Sequence, residues 1–542
     1  MQRLDEADPP GTDSANRRRF LAALGALGVA GLAGCTGDDG VTPTGRMAPT
    51  DTPTPTGTAP PDTATTTEST DTPTRTPPDV EPIAPVTPNA AGQPPGDAEV
   101  LFGDGVDTLE KFESRGGGDA PWRVADDGTD FEIDVGSGDI VTREPVGDCH
   151  LHLEFNVPDD TTDTGQSKGN SGIKMMERYE FQVLNNWEND TDGDGLAGAI
   201  YGQSPPLVDP FRPPTEWQVY DILWRTPEFA DGEVAVPARG TAFLNGVLVQ
   251  VHSNFMGITS GEPQPYEPHP PELPILLQDH NDSVNRYRNV WYRPLPPEAE
   301  VETGTDPAFG PQYNDVYQEE AFVRDPGTPP NVDPGDSFRD PPGDATVLLG
   351  EDGSLSGWEG EDGGDPGWQE ADGYAAVEPG TGDIRTAETF GDGQYHAEFR
   401  IPEDVSGVGR NRGNSGLLLA DRYEIQVLDN HDNVSEHDRW VGAYAGQAPP
   451  MVSPTRPPGE WQSFDVAWEG PRFSNGRLDR PGRVTVLLNG VVVQNRLYLN
   501  GPNASGSVET YESHPPKAPL GLQDGGDPVQ FRNVWHRDIG WY

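Results

Sequence analysis

Lysine is nearly missing from this sequence: only Lys111, Lys168, Lys174 and Lys517 occur in 542 residues. Cysteine is scarcer still, with Cys35 and Cys149 alone, which excludes a disulfide-built scaffold. No apolar run reaches the roughly 18 residues that a membrane-spanning helix requires. Outside the first 35 residues no stretch shows apolar side chains at helical spacing, which excludes a helix bundle or coiled coil. Positive charge is short as well: 36 Lys and Arg stand against 90 Asp and Glu, for a net charge of −54. A polyanion of that size is repelled by nucleic acid, so none is expected as a partner.

What is abundant is glycine, with 66 residues, and proline, with 58. Together they far exceed their ordinary usage of about 12%. Twelve Trp, 15 Tyr and 18 Phe, mostly in two stretches, are enough to build cores there. At roughly 100–200 residues per domain the length fits two or three domains. The acidity is spread along the whole chain. An acidic, lysine-poor composition resembles that of proteins from salt-loving archaea, where salt screens the self-repulsion.

The chain opens with Arg17-Arg18-Arg19-Phe20-Leu21, then small and apolar residues as far as Gly34. A basic segment followed by a short apolar one is an export signal, and the paired arginines resemble a twin-arginine signal. Leu32-Ala33-Gly34-Cys35 resembles a lipobox, with Cys35 as the lipidated residue after cleavage. Residues 1–35 are therefore expected to be the signal. They place the protein on the extracellular face of the membrane, held there by a lipid anchor. Lipid on Cys35 leaves Cys149 without a partner. Residues 36–96, rich in Thr, Pro, Asp and Ala, cannot bury a core and read as an extended stalk.

The strongest signal is an internal duplication. Gly169-Asn170-Ser171-Gly172 returns as Gly413-Asn414-Ser415-Gly416, and Tyr179-Glu180-Phe181-Gln182-Val183-Leu184 returns as Tyr423-Glu424-Ile425-Gln426-Val427-Leu428. Leu244-Asn245-Gly246-Val247 returns as Leu488-Asn489-Gly490-Val491, and Arg288-Asn289-Val290-Trp291 as Arg532-Asn533-Val534-Trp535. Two copies of one domain are expected at 97–295 and 344–542, joined by a Pro-, Gly- and Asp-rich linker at 296–343. A monomer is expected. Each copy reads as β. Tyr179, Phe181 and Val183 alternate with Glu180 and Gln182, and Leu151, Leu153 and Phe155 alternate with His150, His152 and Glu154. Asn-Gly pairs between apolar runs are hairpin turns. Many short strands in about 195 residues mean an antiparallel sandwich or barrel, all-β in class.

These motifs, with Gly198-Ala199-Ile200-Tyr201-Gly202 and Leu277-Gln278-Asp279-His280, resemble the 3-keto-disaccharide hydrolase domain family across both copies. The resemblance implies two tandem concanavalin A-like jelly-roll sandwiches, each with a concave sugar-binding face. It implies a carbohydrate substrate whose C3 hydroxyl has been oxidised to a ketone. Such a ketone acidifies the C2–H bond; a base removes the proton and the C1 substituent is expelled. The site needs a base, an oxyanion stabiliser and an acid, not the opposed carboxylates of an ordinary glycosidase. Glucanases of laminarinase type on this fold carry Glu-x-Asp-x-x-Glu, whereas this chain has Gln182 and Asn185 at the second and third positions, or Gln426 and Asp429 in the other copy.

Glu180 and Gln182, two apart on a strand, face the same way. Glu180 is the expected base, with His152, Glu154, Asp279 and His280 as further catalytic candidates; histidine titrates near neutrality and suits proton transfer. Asn170, Gln182, Tyr201 and Arg288 are the substrate-binding candidates. Glu424, Gln426, His396, Asp524 and Arg532 fill that role in the second copy. Tyr201 becomes Ala445 and His280 becomes Gly525 there, so the first copy is expected to be the more complete. Relatives often have His before the Asn-Gly hairpin, where this chain has Leu244 and Leu488. Asp190, Asp192 and Asp194 have the alternating oxygen spacing of a calcium loop, without its closing Glu. Calcium is thus a cofactor expectation. Asn189, Asn281, Asn433 and Asn503 head glycosylation sequons expected on surface loops. The alternatives to an enzyme are a non-catalytic tandem glycan-binding lipoprotein, in which linked copies raise avidity, and a surface scaffold for protein contacts.

Overall fold

The computed structural model describes residues 92–159, 163–280, 283–296, 340–431, 433, 435, 437–504 and 507–540. The signal, Cys35, almost all of the stalk, Asn281 and the middle of the linker lie outside them. Among the described residues there is no α-helix, only strands and short 3-10 turns. The fold is all-β: two tandem jelly-roll sandwiches of the concanavalin A-like kind, as the alternation and turn signals require.

In the first sandwich the larger sheet runs in the order Val247–Asn254, Arg239–Leu244, Gln218–Arg225, Cys149–Asn156, Arg286–Pro294, Phe131–Glu132 and Arg123–Val124, with Glu99–Phe102 also pairing on Arg286–Pro294. The smaller sheet runs Phe112–Ser114, Ile140–Thr142, Leu276–Leu277, Ser171–Met175 and Tyr179–Val183. The second sandwich repeats both orders. Period-two alternation sends Leu151, Leu153 and Phe155 inward from the larger sheet, and Tyr179, Phe181 and Val183 inward from the smaller. Each fully buried side chain of that size stabilises by about 1.5–3 kcal/mol.

Asn245 and Gly246 have φ of 53° and 79°, and Leu244 pairs directly with Val247. This is the two-residue hairpin that Asn-Gly favours, because both central residues need positive φ. Asn489 and Gly490 repeat it with the same angles. Cys149 is buried and free, packed in the first core.

A third apolar cluster joins the two sandwiches. Leu223, Phe243, Leu248 and Val251 of the first copy meet Ala467, Leu487 and Val492 of the second, with Leu295 and Ile539 completing it. Most of these are equivalent positions in the two copies, so the contact approximates a two-fold related face. Polar bonds seal its edge. Leu248 N donates to Gln394 Oε1 at 2.9 Å, and Gln394 Nε2 donates to Gly246 O at 2.8 Å. His252 bridges Glu469 and Thr485 of the other copy. The symmetry is broken here: His150 stands where the second copy has Gln394, and it binds Asp221 of its own sheet instead.

Candidate functional site

Side chains at even positions of Tyr179–Val183 leave the core and line the outer face of the smaller sheet. Glu180 there is almost fully buried, at 3% exposure. Four backbone relationships fix its surroundings. Lys174 pairs across from Glu180 in the strand register. Tyr201 N donates to Glu180 O, which runs the Gly198–Tyr201 segment along the free edge of the strand. Gln278 N donates to Gly172 O, which brings Asp279 and His280 up beside Gly172 on the other side. Glu180 N donates to Thr259 Oγ1 at 3.0 Å.

The result is a cluster on one face. Lys174 Nζ is 3.3 Å from Glu180 Oε2. Burial raises the Glu180 carboxyl above its ordinary range; Lys174 opposes the rise, with His280 helping and Asp139 adding to it. Burial also raises the Tyr201 hydroxyl, and the charges of Glu180 and Asp194 add to that rise. Amides occupy the flank. Gln182 Nε2 donates to Gln166 Oε1 at 2.9 Å, and Asn170 Nδ2 donates to Gln166 O at 2.7 Å. The structure thus brings together Glu180, Gln182, Asn170, Tyr201 and His280. Lys174 and Gln166 join them although no sequence motif singled them out. The available signal was that Lys174 is one of four lysines and shares the outward face of its strand with Gly172.

Asp279 does different work from that expected of a catalytic carboxylate. Its Oδ2 accepts from Gly136 N and Gly138 N at 2.8 and 2.9 Å, and its own N–H donates to Asp139 Oδ1. Asp524 repeats the bonds with Gly380, Gly382 and Asp383. Both carboxylates tie a turn to the sheet.

His152 and Glu154 do not join Glu180. They belong to the larger sheet and point away from the core on the opposite flank of the sandwich. His152 Nδ1 bonds Asp221 Oδ1 at 2.8 Å, and its ring stacks on Trp291 at 4.8 Å. Asn289 and the Gly92 backbone cover it, which leaves it 1% exposed. Glu154 receives Arg288 at 2.6 Å, and the Arg288 guanidinium lies 4.0 Å over the Trp217 ring. His396, Glu398, Arg532 and Trp461 repeat this arrangement. Burial pulls His396 down, but Asp465 and Glu398 together carry it to about 9. The alternation was read correctly; what it could not reveal is which sheet each strand joins. These residues, with Arg288 and Trp217, form a packed polar layer on the far flank.

In the second copy Glu424 and Gln426 occupy the same outer face as Glu180 and Gln182, and Gln426 Nε2 donates to Asn414 Oδ1 at 2.9 Å. Burial raises Glu424 to about 7, against the pull of Arg439 and Arg410. Leu418 stands where the first copy has Lys174.

Asp190 and Asp192 are exposed on the loop that leads into the Gly193–Gly195 turn. Among the described residues, no three or more His, Cys, Asp or Glu side chains are grouped so that they could hold a metal ion. Two sequons are also not surface loops. Asn503 is fully buried with Nδ2 bonded to Glu424 O and Ala445 O, and Asn433 Nδ2 is bonded to Gly409 O and Asp429 O.

A family model described as a 3-keto-alpha-glucoside-1,2-lyase-like domain matches residues 97–293 and again 344–537. A solved protein of Parabacteroides distasonis, described provisionally as a glycosyl hydrolase, is 37% identical over 36% of this chain and 84% of its own, with a TM-score of 0.35. A second protein of that organism, described the same way, is 23% identical over 36% and 93%, with a TM-score of 0.27. A carbohydrate-binding module of Bacillus subtilis is 15% identical over 33% and 93%, with a TM-score of 0.18. None of the curated proteins matches the chain.

Proposed function

Since this chain belongs to the 3-keto-alpha-glucoside-1,2-lyase-like domain family through both of its sandwiches, we propose that its first domain cleaves 3-keto-glycosides by C2 proton abstraction. The family supports a carbohydrate-active protein, and the residues around Glu180 are suited to the proposed mechanism. The observation that carries it is a buried Glu180 held 3.3 Å from Lys174, with Tyr201 and His280 within electrostatic reach.

Glu180 takes the C2 proton. The C–H electron pair forms a C2=C3 double bond, and negative charge moves onto the C3 oxygen. Lys174, half-buried beside Glu180, is the group placed to stabilise that oxygen, and a preorganised cation is worth more there than in water. The enolate then re-forms the ketone, and the electron pair of the new C1=C2 bond expels the C1 oxygen. The leaving oxygen takes a proton from Tyr201 or His280 at the rim. Water can afterwards add across C1=C2: it gives one proton back to the Tyr201 or His280 that protonated the leaving oxygen, its oxygen bonds to C1, and Glu180 returns its proton to C2, which completes a net hydrolysis. A carboxyl raised by burial is matched to this task, because its conjugate base is stronger than a free carboxylate.

The test incubates the full chain with a 3-keto-disaccharide and follows hexose release. Release is expected, with a loss of 100-fold or more in Glu180→Gln; no release from the unmodified protein overturns the reading. A second reading, glycan binding without turnover, applies to the second domain. There Leu418, Ala445 and Gly525 replace Lys174, Tyr201 and His280 while Glu424 and Gln426 are kept.

We further propose, from the sequence of residues 1–35, that the protein is exported through the twin-arginine route and anchored outside the membrane by lipid on Cys35. Mass spectrometry of the membrane fraction tests this: an unlipidated Cys35 removes the anchor.

A further inference from the structure

We propose that the second domain's site takes a sugar bearing a carboxylate, a uronic acid, where the first domain's takes a neutral sugar. The inference rests on reading the Glu180 and Glu424 faces as sugar sites.

The two copies differ at a matched pair of positions beside the conserved glutamate. In the first copy Gln166 Nε2 donates to Gly195 O and to Thr191 Oγ1, both at 3.0 Å, and its Oε1 receives Gln182. A Cβ on Gly195 would come within 2.4 Å of Gln166 Nε2, so the end of the glutamine lies directly over the glycine. The flank is therefore a closed set of neutral amides. In the second copy both positions are arginines, Arg410 and Arg439. The pair has changed together, from uncharged to doubly cationic.

These cations are not consumed by the fold. Lys174 of the first copy is tied directly to Glu180. In the second copy that lysine is Leu418, and among the described residues neither Arg410 nor Arg439 forms an ion pair; they act on Glu424 only through space. Arg439 Nη1 is buried and has no hydrogen-bond partner. A buried guanidinium N–H without a partner is destabilising, and an acceptor on a ligand relieves that cost. The planar fork of arginine matches a carboxylate with two parallel bonds, which a hydroxyl cannot reproduce.

Charge elsewhere sharpens the argument. A chain of net charge −54 repels anions at long range. Asp383 also faces Glu424, but it is engaged by Asp524 N, and burial raises it to about 6. Two arginines that act on one carboxyl are thus a local exception to the sign of the whole surface.

The experiment titrates the full chain by calorimetry with a glucuronate-terminated disaccharide, its glucose counterpart and the glucose 6-sulfate form. The uronate is expected to bind at least tenfold tighter than the neutral sugar. Arg410→Gln with Arg439→Gln is expected to lose at least tenfold of that affinity, and Arg439→Lys to restore part of it. Because Arg410 is exposed, Arg410→Gln alone serves if the double variant fails to fold. Equal affinity for uronate and glucose, equal affinity for the sulfate, or an unchanged double variant overturns the proposal. Hexose release from a 3-keto-disaccharide is read on the same preparation. Uronate binding without release removes the reaction proposed for the first domain and leaves this inference; release without uronate preference does the reverse.

Discussion

Gly172 and Glu180 occupy one another's space. An ideal Cβ on Gly172 would lie 2.2 Å from Glu180 Oε1 and 2.8 Å from its Cδ, so the carboxyl rests where any other residue would put a side chain. Gly416 and Glu424 repeat the relationship, at 2.8 Å to Cγ. Gly172→Ala is expected to leave the fold intact, since only a side-chain end must move. It should displace Glu180 from Lys174 and lower kcat at least tenfold. Steady-state kinetics beside a thermal melt checks this; full activity in a folded variant would show that the position of Glu180 does not matter.

Lys174→Leu installs the residue that the second copy already has at Leu418. Burial raises Glu180 and Lys174 is the largest force opposing it, so removing the cation lifts the carboxyl further. The base form then exists only at higher pH. The acid limb of the kcat/KM profile should move to higher pH, with activity lost on its acid side. A pH–rate profile that keeps its acid limb in place would mean that Glu180 does not set it.

Alternation in the sequence correctly separated core positions from outward ones. Leu151, Leu153, Phe155, Tyr179, Phe181 and Val183 all face inward as their spacing requires. Spacing alone carries no information about which of two sheets a strand joins. His152 and Glu180 therefore looked like neighbours although the sandwich lies between them. The duplication was legible, but the face that joins the copies was not. Its apolar positions, such as Phe243 and Leu248, fall on the outward side of strands whose inward side is also apolar. Asp279 was legible as important without its role being so, since a carboxylate that ties two backbone N–H groups and one that abstracts a proton have the same letter.

Cys149 sits in the first core with no exposure, and burial pushes its thiol far up, so it behaves as a small apolar group. Cys149→Ser places a hydroxyl among apolar side chains and should cost about 1–3 kcal/mol. Cys149→Val should cost less than that. Urea unfolding measures both. Reductant should leave the stability of the unmodified protein unchanged, and a large loss on its addition would reveal a disulfide.

Glu424 offers a test that needs no substrate. Its folded carboxyl is raised to about 7 by burial, against a value of 4.5 for the free group. Below pH 4.5 both folded and unfolded states hold the proton, and the stabilisation from binding it is fully present. Between pH 4.5 and 7 the unfolded state releases its proton first, so stability falls as pH rises. Above pH 7 the folded protein holds a buried charge that Arg439, Arg410 and a hydrogen bond with Gln523 offset only in part, and the loss is complete. One unit is worth about 1.4 kcal/mol, so a rise from 4.5 to about 7 makes the loss about 3–4 kcal/mol for a group this deeply buried. Glu398 runs the other way. Burial would raise it, but His396 and Arg532 hold it at about 2, so its contribution is lost only in strong acid and does not overlap this window. Glu424→Gln removes the titration while keeping the shape. The variant should be more stable than the unmodified protein at pH 8 by about 3–4 kcal/mol and no more stable at pH 4. Urea unfolding at the two pH values measures the difference. An equal effect at both would mean that the carboxyl ionises freely, and that the two arginines are closer to it, and less available to a ligand, than their geometry implies.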